Sequence, residues 1–144
     1  MKRLFFLIMS IIGLTTSAYA DDDRPINPDA LPSAATQFIK KHFQSSTINR
    51  AYIDDDVMDK DYTVYLNDGT KIEFDSNGKW KEVECRSSVP SAIVPTSISQ
   101  YVKKNYPSCV IEKISQDRRG IEIELSNGLD IEFDKSYRVV EIDR

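Results

Sequence analysis

The sequence holds one histidine, one tryptophan, two cysteines and five glycines among 144 residues, and each scarcity removes a class of chemistry. A lone His42 cannot form a metal-binding histidine pair, and nothing nearby reads as a nucleophile for it to activate. The few glycines form neither a phosphate-cradling loop nor a G-x-S-x-G elbow. The expectation is a non-enzyme without cofactor or metal centre. Long apolar runs are missing too. Leu4 to Leu14 is shorter than the ~20 residues that span a bilayer. Lys2 and Arg3 precede it and Ala18-Tyr19-Ala20 follows it, the pattern of a secretory signal peptide over residues 1–20. No cysteine follows the run to carry a lipid anchor. The chain is therefore expected in the periplasm or outside the cell, detached from the membrane.

Basic residues are also in short supply. Without Lys2 and Arg3, 17 basic residues face 23 acidic ones, a formal charge of −6. Nucleic acids and anionic membranes are poor partners for such a chain. Cys85 and Cys109 are the whole cysteine complement, and export permits a bridge between them. It would contribute about 3–4 kcal/mol in the loop-entropy picture. It requires antiparallel strands that bring the two Cα atoms within about 7 Å. Two buried free thiols are the other reading, and both stay open.

What is present is written twice. NDGTKIEFD at 67–75 returns as SNGLDIEFD at 126–134. Each copy has residues that tolerate positive φ in a tight turn, then an apolar/charged alternation of period two, which predicts a half-buried strand. Upstream, Ala35, Phe38, Ile39, His42 and Phe43 fall on one helical stripe after Leu31-Pro32. Ile98, Tyr101, Val102, Asn105 and Tyr106 repeat it after Val94-Pro95. His42 thus stands where the other copy has Asn105, which favours a structural role on the helix flank over a ligand or a base.

Four strands are expected after each helix: Ile48 to Asp54, Tyr62 to Leu66, Thr70 to Phe74 and Lys79 to Cys85, then Val110 to Ser115, Ile121 to Leu125, Leu129 to Phe133 and Arg138 to Ile142. The organisation reads as a signal peptide at 1–20, a disordered acidic leader at 21–30, a first repeat at 31–85, an apolar linker at 86–93 and a second repeat at 94–144. The fold class is α+β: two tandem helix-plus-four-stranded antiparallel meanders forming one helix-backed sheet.

Alternation sorts the strand residues into faces. Toward the helices it places Tyr62, Val64, Leu66, Ile72, Phe74 and Val83, with Ile121, Ile123, Leu125, Ile131, Phe133 and Ile142 as counterparts. On the opposite face it places Thr63, Tyr65, Lys71, Glu73, Trp80 and Glu82, against Glu122, Glu124, Asp130, Glu132, Val139 and Glu141. An uncovered face with a tyrosine and the only tryptophan resembles a protein-binding surface. Tyr65, Lys71, Trp80, Glu122, Glu124, Asp130, Glu132 and Val139 are the expected binding residues, for an unidentified protein partner and a chain acting as a monomer. The competing idea is a calcium or small-cation site on Glu122, Glu124, Asp130 and Glu132. The acidic turn at 54–61 lacks the spacing and glycine of an EF-hand loop.

The stretches LPSAATQFIKKHF and YTVYLNDGTKIEFDSNGKWKEVEC, with VPTSISQYVKKNYPSCVIEKI and GIEIELSNGLDIEFDKSYRVVEID, resemble an exported bacterial family, the PepSY-like, β-lactamase-inhibitor-like proteins. The resemblance covers nearly all of the chain after residue 30, in two copies. It implies a periplasmic location and a doubled, helix-backed antiparallel sheet like that of the β-lactamase inhibitory protein, whose open sheet face grips an enzyme. None of that protein's inhibitory residues maps here. Lys135-Ser136-Tyr137 departs from the family's turn, where glycine is expected, which implies a looser last hairpin.

Overall fold

The computed structural model describes residues 23–55 and 59–144. The expected signal peptide at 1–20 lies outside them, as do residues 21–22 of the leader and 56–58 of the acidic turn.

Among the described residues nine strands form one sheet in sequence order, every neighbouring pair antiparallel. They are β1 (Asp23–Ile26), β2 (Ile48–Asp55), β3 (Lys60–Leu66), β4 (Lys71–Phe74), β5 (Trp80–Glu84), β6 (Ile111–Gln116), β7 (Gly120–Leu125), β8 (Asp130–Asp134) and β9 (Val139–Asp143). Helix α1 (Ser33–His42) lies between β1 and β2 in the chain, and α2 (Thr96–Asn105) between β5 and β6. Each helix starts after a proline, Pro32 or Pro95, whose carbonyl accepts from the N–H groups of the first turn. Each ends with lysines in its last turn, favourable at the negative end of the helix dipole.

Register explains the core. Ala51, Val64, Ile72, Val83, Ile114, Ile123 and Ile131 are cross-strand neighbours in one line from β2 to β8, and all are buried. Ala35 and Ile39 of α1, with Ile98 and Val102 of α2, close this line into a single apolar cluster. Both helices therefore back the same face. Phe38 meets Phe74 edge-on at 5.7 Å between ring centroids, and Tyr101 meets Phe133 in the same way at 5.5 Å.

Several expectations need correction. The stretch expected as a disordered leader carries β1 and a short 3-10 turn at Pro28–Ala30. Acidic composition understates it, because a four-residue edge strand is held by backbone pairing to β2 and needs little apolar area of its own. Pro25, with no N–H, is tolerated there because β1 lies at the edge. Trp80 and Val139 do not share the outer face with their neighbours. The β4–β5 register shifts between Glu73 and Phe74, so Phe74 pairs with Trp80, and Trp80 stacks on Phe38 at 6.3 Å. The β8–β9 register shifts at the corresponding place, and Phe133 pairs with Val139. A bulge of one residue inverts the faces that strict alternation assigns. Finally, Ile142 pairs with buried Ile131 yet is 46% exposed, because it sits on an edge strand.

The strands flanking the cysteines are antiparallel, as a bridge requires, but both thiols are free. The Cys85 N–H donates to the carbonyl of Glu112, which puts Cys109 three residues, about 10 Å of extended chain, from that contact. Buried Cys85 instead takes a hydrogen bond from Thr70 Oγ1 at 3.8 Å.

Candidate functional site

The face turned away from the helices carries two parallel lines of polar side chains, aligned by strand register. The first runs Thr63, Glu73, Glu82, Ser115, Glu122, Glu132, Glu141. Its stretch from Glu73 to Glu141 crosses six strands, about 24 Å at the usual strand spacing. The second runs Arg50, Tyr65, Lys71, Glu84, Lys113, Glu124, Asp130, Asp143. The structure thus brings Tyr65, Lys71, Glu122, Glu124, Asp130 and Glu132 onto one surface, and it leaves Trp80 and Val139 off it.

The middle of this face is not freely solvated. Glu82 is only 4% exposed, and Ser115 and Glu132 are buried with it. Lys113 Nζ lies 3.7 Å from Glu82 Oε1, and Ser115 Oγ donates to Glu82 Oε2 at 3.4 Å. Lys71 Nζ pairs with Glu73 at 3.1 Å. Burial would lower the Lys71 ammonium, but Glu73 and Glu82 outweigh it and hold it above its ordinary value. Glu82 moves the other way: burial and the Glu73 charge raise it, against the pull of Lys113 and Lys71.

Past Lys113 acids predominate on this face, and at Glu132 burial and the Glu141 charge outweigh the lowering by Arg119. Burial and the charges of Asp130 and Glu132 push Glu122 up to about 7. A side-chain hydrogen bond between the two carboxyls raises Glu122 further and pulls Glu132 down. Burial, then the Glu141 charge, raises Glu132 as well, and its Oε2 is buried without a hydrogen-bond partner among the described residues. Burial is also the first cause that raises Glu124 and Asp130. These carboxyls lie along two lines instead of around a point. Among the described residues no three His, Cys, Asp or Glu side chains are grouped to hold a metal ion.

The first half of the face ends differently. Tyr52 and Tyr65 meet edge-on at 6.0 Å, beside a cleft of about 640 Å³. Lys113, Ser115 and Arg50 were not among the residues expected to bind. Their strands carry weaker alternation, and bulges at Ile48/Arg50 and Ile111/Lys113 interrupt their parity. His42 sits against Phe38 at 4.6 Å, lowered first by burial and then by Lys41, on the helix side and away from this face.

A family model described as "Putative beta-lactamase-inhibitor-like, PepSY-like" matches residues 60–141. Three solved structures are similar over most of the chain. A Bacteroides thetaiotaomicron protein, described as a putative calcium-regulated periplasmic protein, is 42% identical with a TM-score of 0.84, over 88% of this chain and 100% of that one. A putative periplasmic protein of the DUF2874 family from Bacteroides vulgatus is 44% identical with a TM-score of 0.82, again over 88% and 100%. A second B. vulgatus periplasmic protein, of unknown function, is 36% identical with a TM-score of 0.81, over 85% and 99%. No protein with a curated description matches.

Proposed function

The chain belongs to the PepSY-like, putative β-lactamase-inhibitor-like family, and on that premise we propose that it is an exported, non-enzymatic binding protein of the periplasm that takes a protein partner on its helix-free sheet face. The two helix-plus-four-strand units read as a duplication of one ancestral unit. The single wide sheet they share serves the same purpose as that of the β-lactamase inhibitory protein: a broad, rigid platform. The observation that carries this reading is the Glu122–Glu132 pair, in which Glu132 Oε2 is buried without a hydrogen-bond partner among the described residues. A buried carboxylate without a donor is costly, and a guanidinium or ammonium delivered by a partner relieves that cost. The partner is therefore expected to insert a basic side chain near Glu122, Glu124, Asp130 and Glu132, and inhibition of an exported enzyme is one use of such a grip. The test is affinity capture from periplasmic extract with wild-type protein and with a Glu122→Gln, Glu132→Gln variant. Specific capture that the variant loses supports the reading; identical capture by both ends it.

A second reading is calcium binding by the same four carboxylates. It is favoured by the 42% identical neighbour described as calcium-regulated. Calcium takes six to eight oxygens around one point, and the linear arrangement of these acids does not fit that demand, so this reading ranks second. Calorimetric titration with calcium decides it: no heat removes it.

A further inference from the structure

The opposite end of the same face has inverted chemistry. Arg50 and Arg86 both line the 640 Å³ cleft beside Tyr52, Tyr65, Asn49 and Asn67. In a chain rich in acids, Arg24, Arg119 and Arg138 each face a carboxylate. The side chains of Arg50 and Arg86 have no ion pair or hydrogen bond among the described residues. The cross-strand neighbour of Arg50 is Tyr65, not an acid. Arg86 lies over the turn at Gly69, where a Cβ would meet its Nε at 2.3 Å, so the glycine leaves room for the guanidinium. Among the described residues Asp23 is the one carboxylate in the lining, so two guanidiniums outnumber it. Asn67 Oδ1 accepts from the Thr47 N–H at 3.1 Å, which fixes the amide and leaves its NH₂ to donate.

We propose that this cleft binds the carboxylate of an acidic peptide segment, held by Arg50 and Arg86 and flanked by the Tyr52–Tyr65 pair. Planar guanidiniums recognise carboxylates by paired N–H donors, and rigid tyrosines add contact area at low entropic cost. The choice of peptide over other carboxylates rests on the reading of the sheet face as a protein-docking surface. The face is then polarised end to end, and a partner strand lying along it would present an acid to the arginines and a base to the glutamate pair.

The test uses short N-acetylated peptides and calorimetry. One carries an internal aspartate and an amidated C-terminus. A second replaces that aspartate by asparagine. A third keeps the asparagine but has a free C-terminus. Saturable binding of the first supports the assignment; binding of the third alone overturns it in favour of a chain terminus. Arg50→Ala and Arg86→Ala should each weaken it about tenfold, and Arg50→Lys should not restore it fully. Both arginines are exposed, so the variants should keep the wild-type melting temperature. Equal binding of the second peptide, binding unchanged in the double arginine variant, or saturable binding of glucuronate without any peptide overturns the assignment. The Glu122→Gln, Glu132→Gln variant should bind the peptides as wild type does. Loss of partner capture with peptide binding intact, or the reverse, therefore separates the two readings.

Discussion

β5 and β9 close the two helix-plus-four-strand stretches with similar sequences, yet their surroundings make them unlike. Val83 of β5 is fully buried, while Ile142, in the equivalent place on β9, is half-exposed. Trp80 covers Phe38 at the bulge of β5, while Val139 at the bulge of β9 leaves 38% of its surface to water. The local pattern is the same. The difference is that β5 has β6 on its far side and β9 has no described strand there. Alternation in a sequence says which way a side chain points; whether anything waits there is decided by the neighbouring strand.

The largest effects test whether the two halves share one core. Phe74→Ala and Phe133→Ala should each cost about 3–5 kcal/mol, measured as urea midpoints at constant slope, because both rings are buried against an aromatic of their helix. A single cooperative transition in both variants keeps the halves together; two separate transitions would divide them. Next in size comes the pair that distinguishes the strands. Val83→Ala should cost about 2 kcal/mol and Ile142→Ala less than about 1 kcal/mol. Equal costs would mean that the β9 edge is covered in solution.

Much of this arrangement was legible beforehand. Period-two runs ending in Phe74 and Phe133 located the strands to within a residue or two, and the Pro32 and Pro95 signals located both helices. The faces were legible wherever alternation ran unbroken, which is why Tyr65, Lys71, Glu122, Glu124, Asp130 and Glu132 fell together. They were lost at Trp80 and Val139, because a bulge adds one residue without any mark in composition. β1 was lost because its stability comes from backbone pairing. The Glu73-to-Glu141 line was out of reach, since the pairing of β5 with β6 depends on where α2 carries the chain.

The two halves should also differ in how they respond to pH. In the first half, burial would raise Asp68, but hydrogen bonds from Thr70 and Ser46 prevail and hold its carboxyl below the usual range. It stabilises the ionised fold, and that contribution fades as pH falls. In the second half, Glu122 keeps its proton to about 7 in the fold but releases it near 4.5 when the chain unfolds. Between those values the folded chain binds more protons, so stability falls as pH rises from about 4.5 to about 7. Glu122→Gln should flatten this decline in melting temperature and leave the acid side unchanged. A decline of equal slope in the variant would assign it to Glu82, Glu124, Asp130 or Glu132, whose shifts have the same sign.

The smallest effect concerns the last turn of each half. Asp75 and Asp134 make the same bonds, each Oδ1 accepting from two backbone N–H groups of its loop. The hairpin at 135–137 is therefore as fully bonded as its counterpart, despite lacking glycine. Gly78 takes φ 80 in the first, and Tyr137 takes φ 60 in the second. Gly78 is demanded twice, since a Cβ there would also come within 2.9 Å of Ala35 N and Pro32 Cβ at the start of α1. Tyr137 is 43% exposed and meets only the backbone demand. A side chain in the left-handed region costs about 1–2 kcal/mol, and glycine returns part of that through a more flexible unfolded chain. Tyr137→Gly should therefore stabilise the protein by about 0.5–1 kcal/mol, read from the urea midpoint. A loss of stability instead would mean that the exposed ring is held by a contact that the first half makes through α1 and the second makes elsewhere.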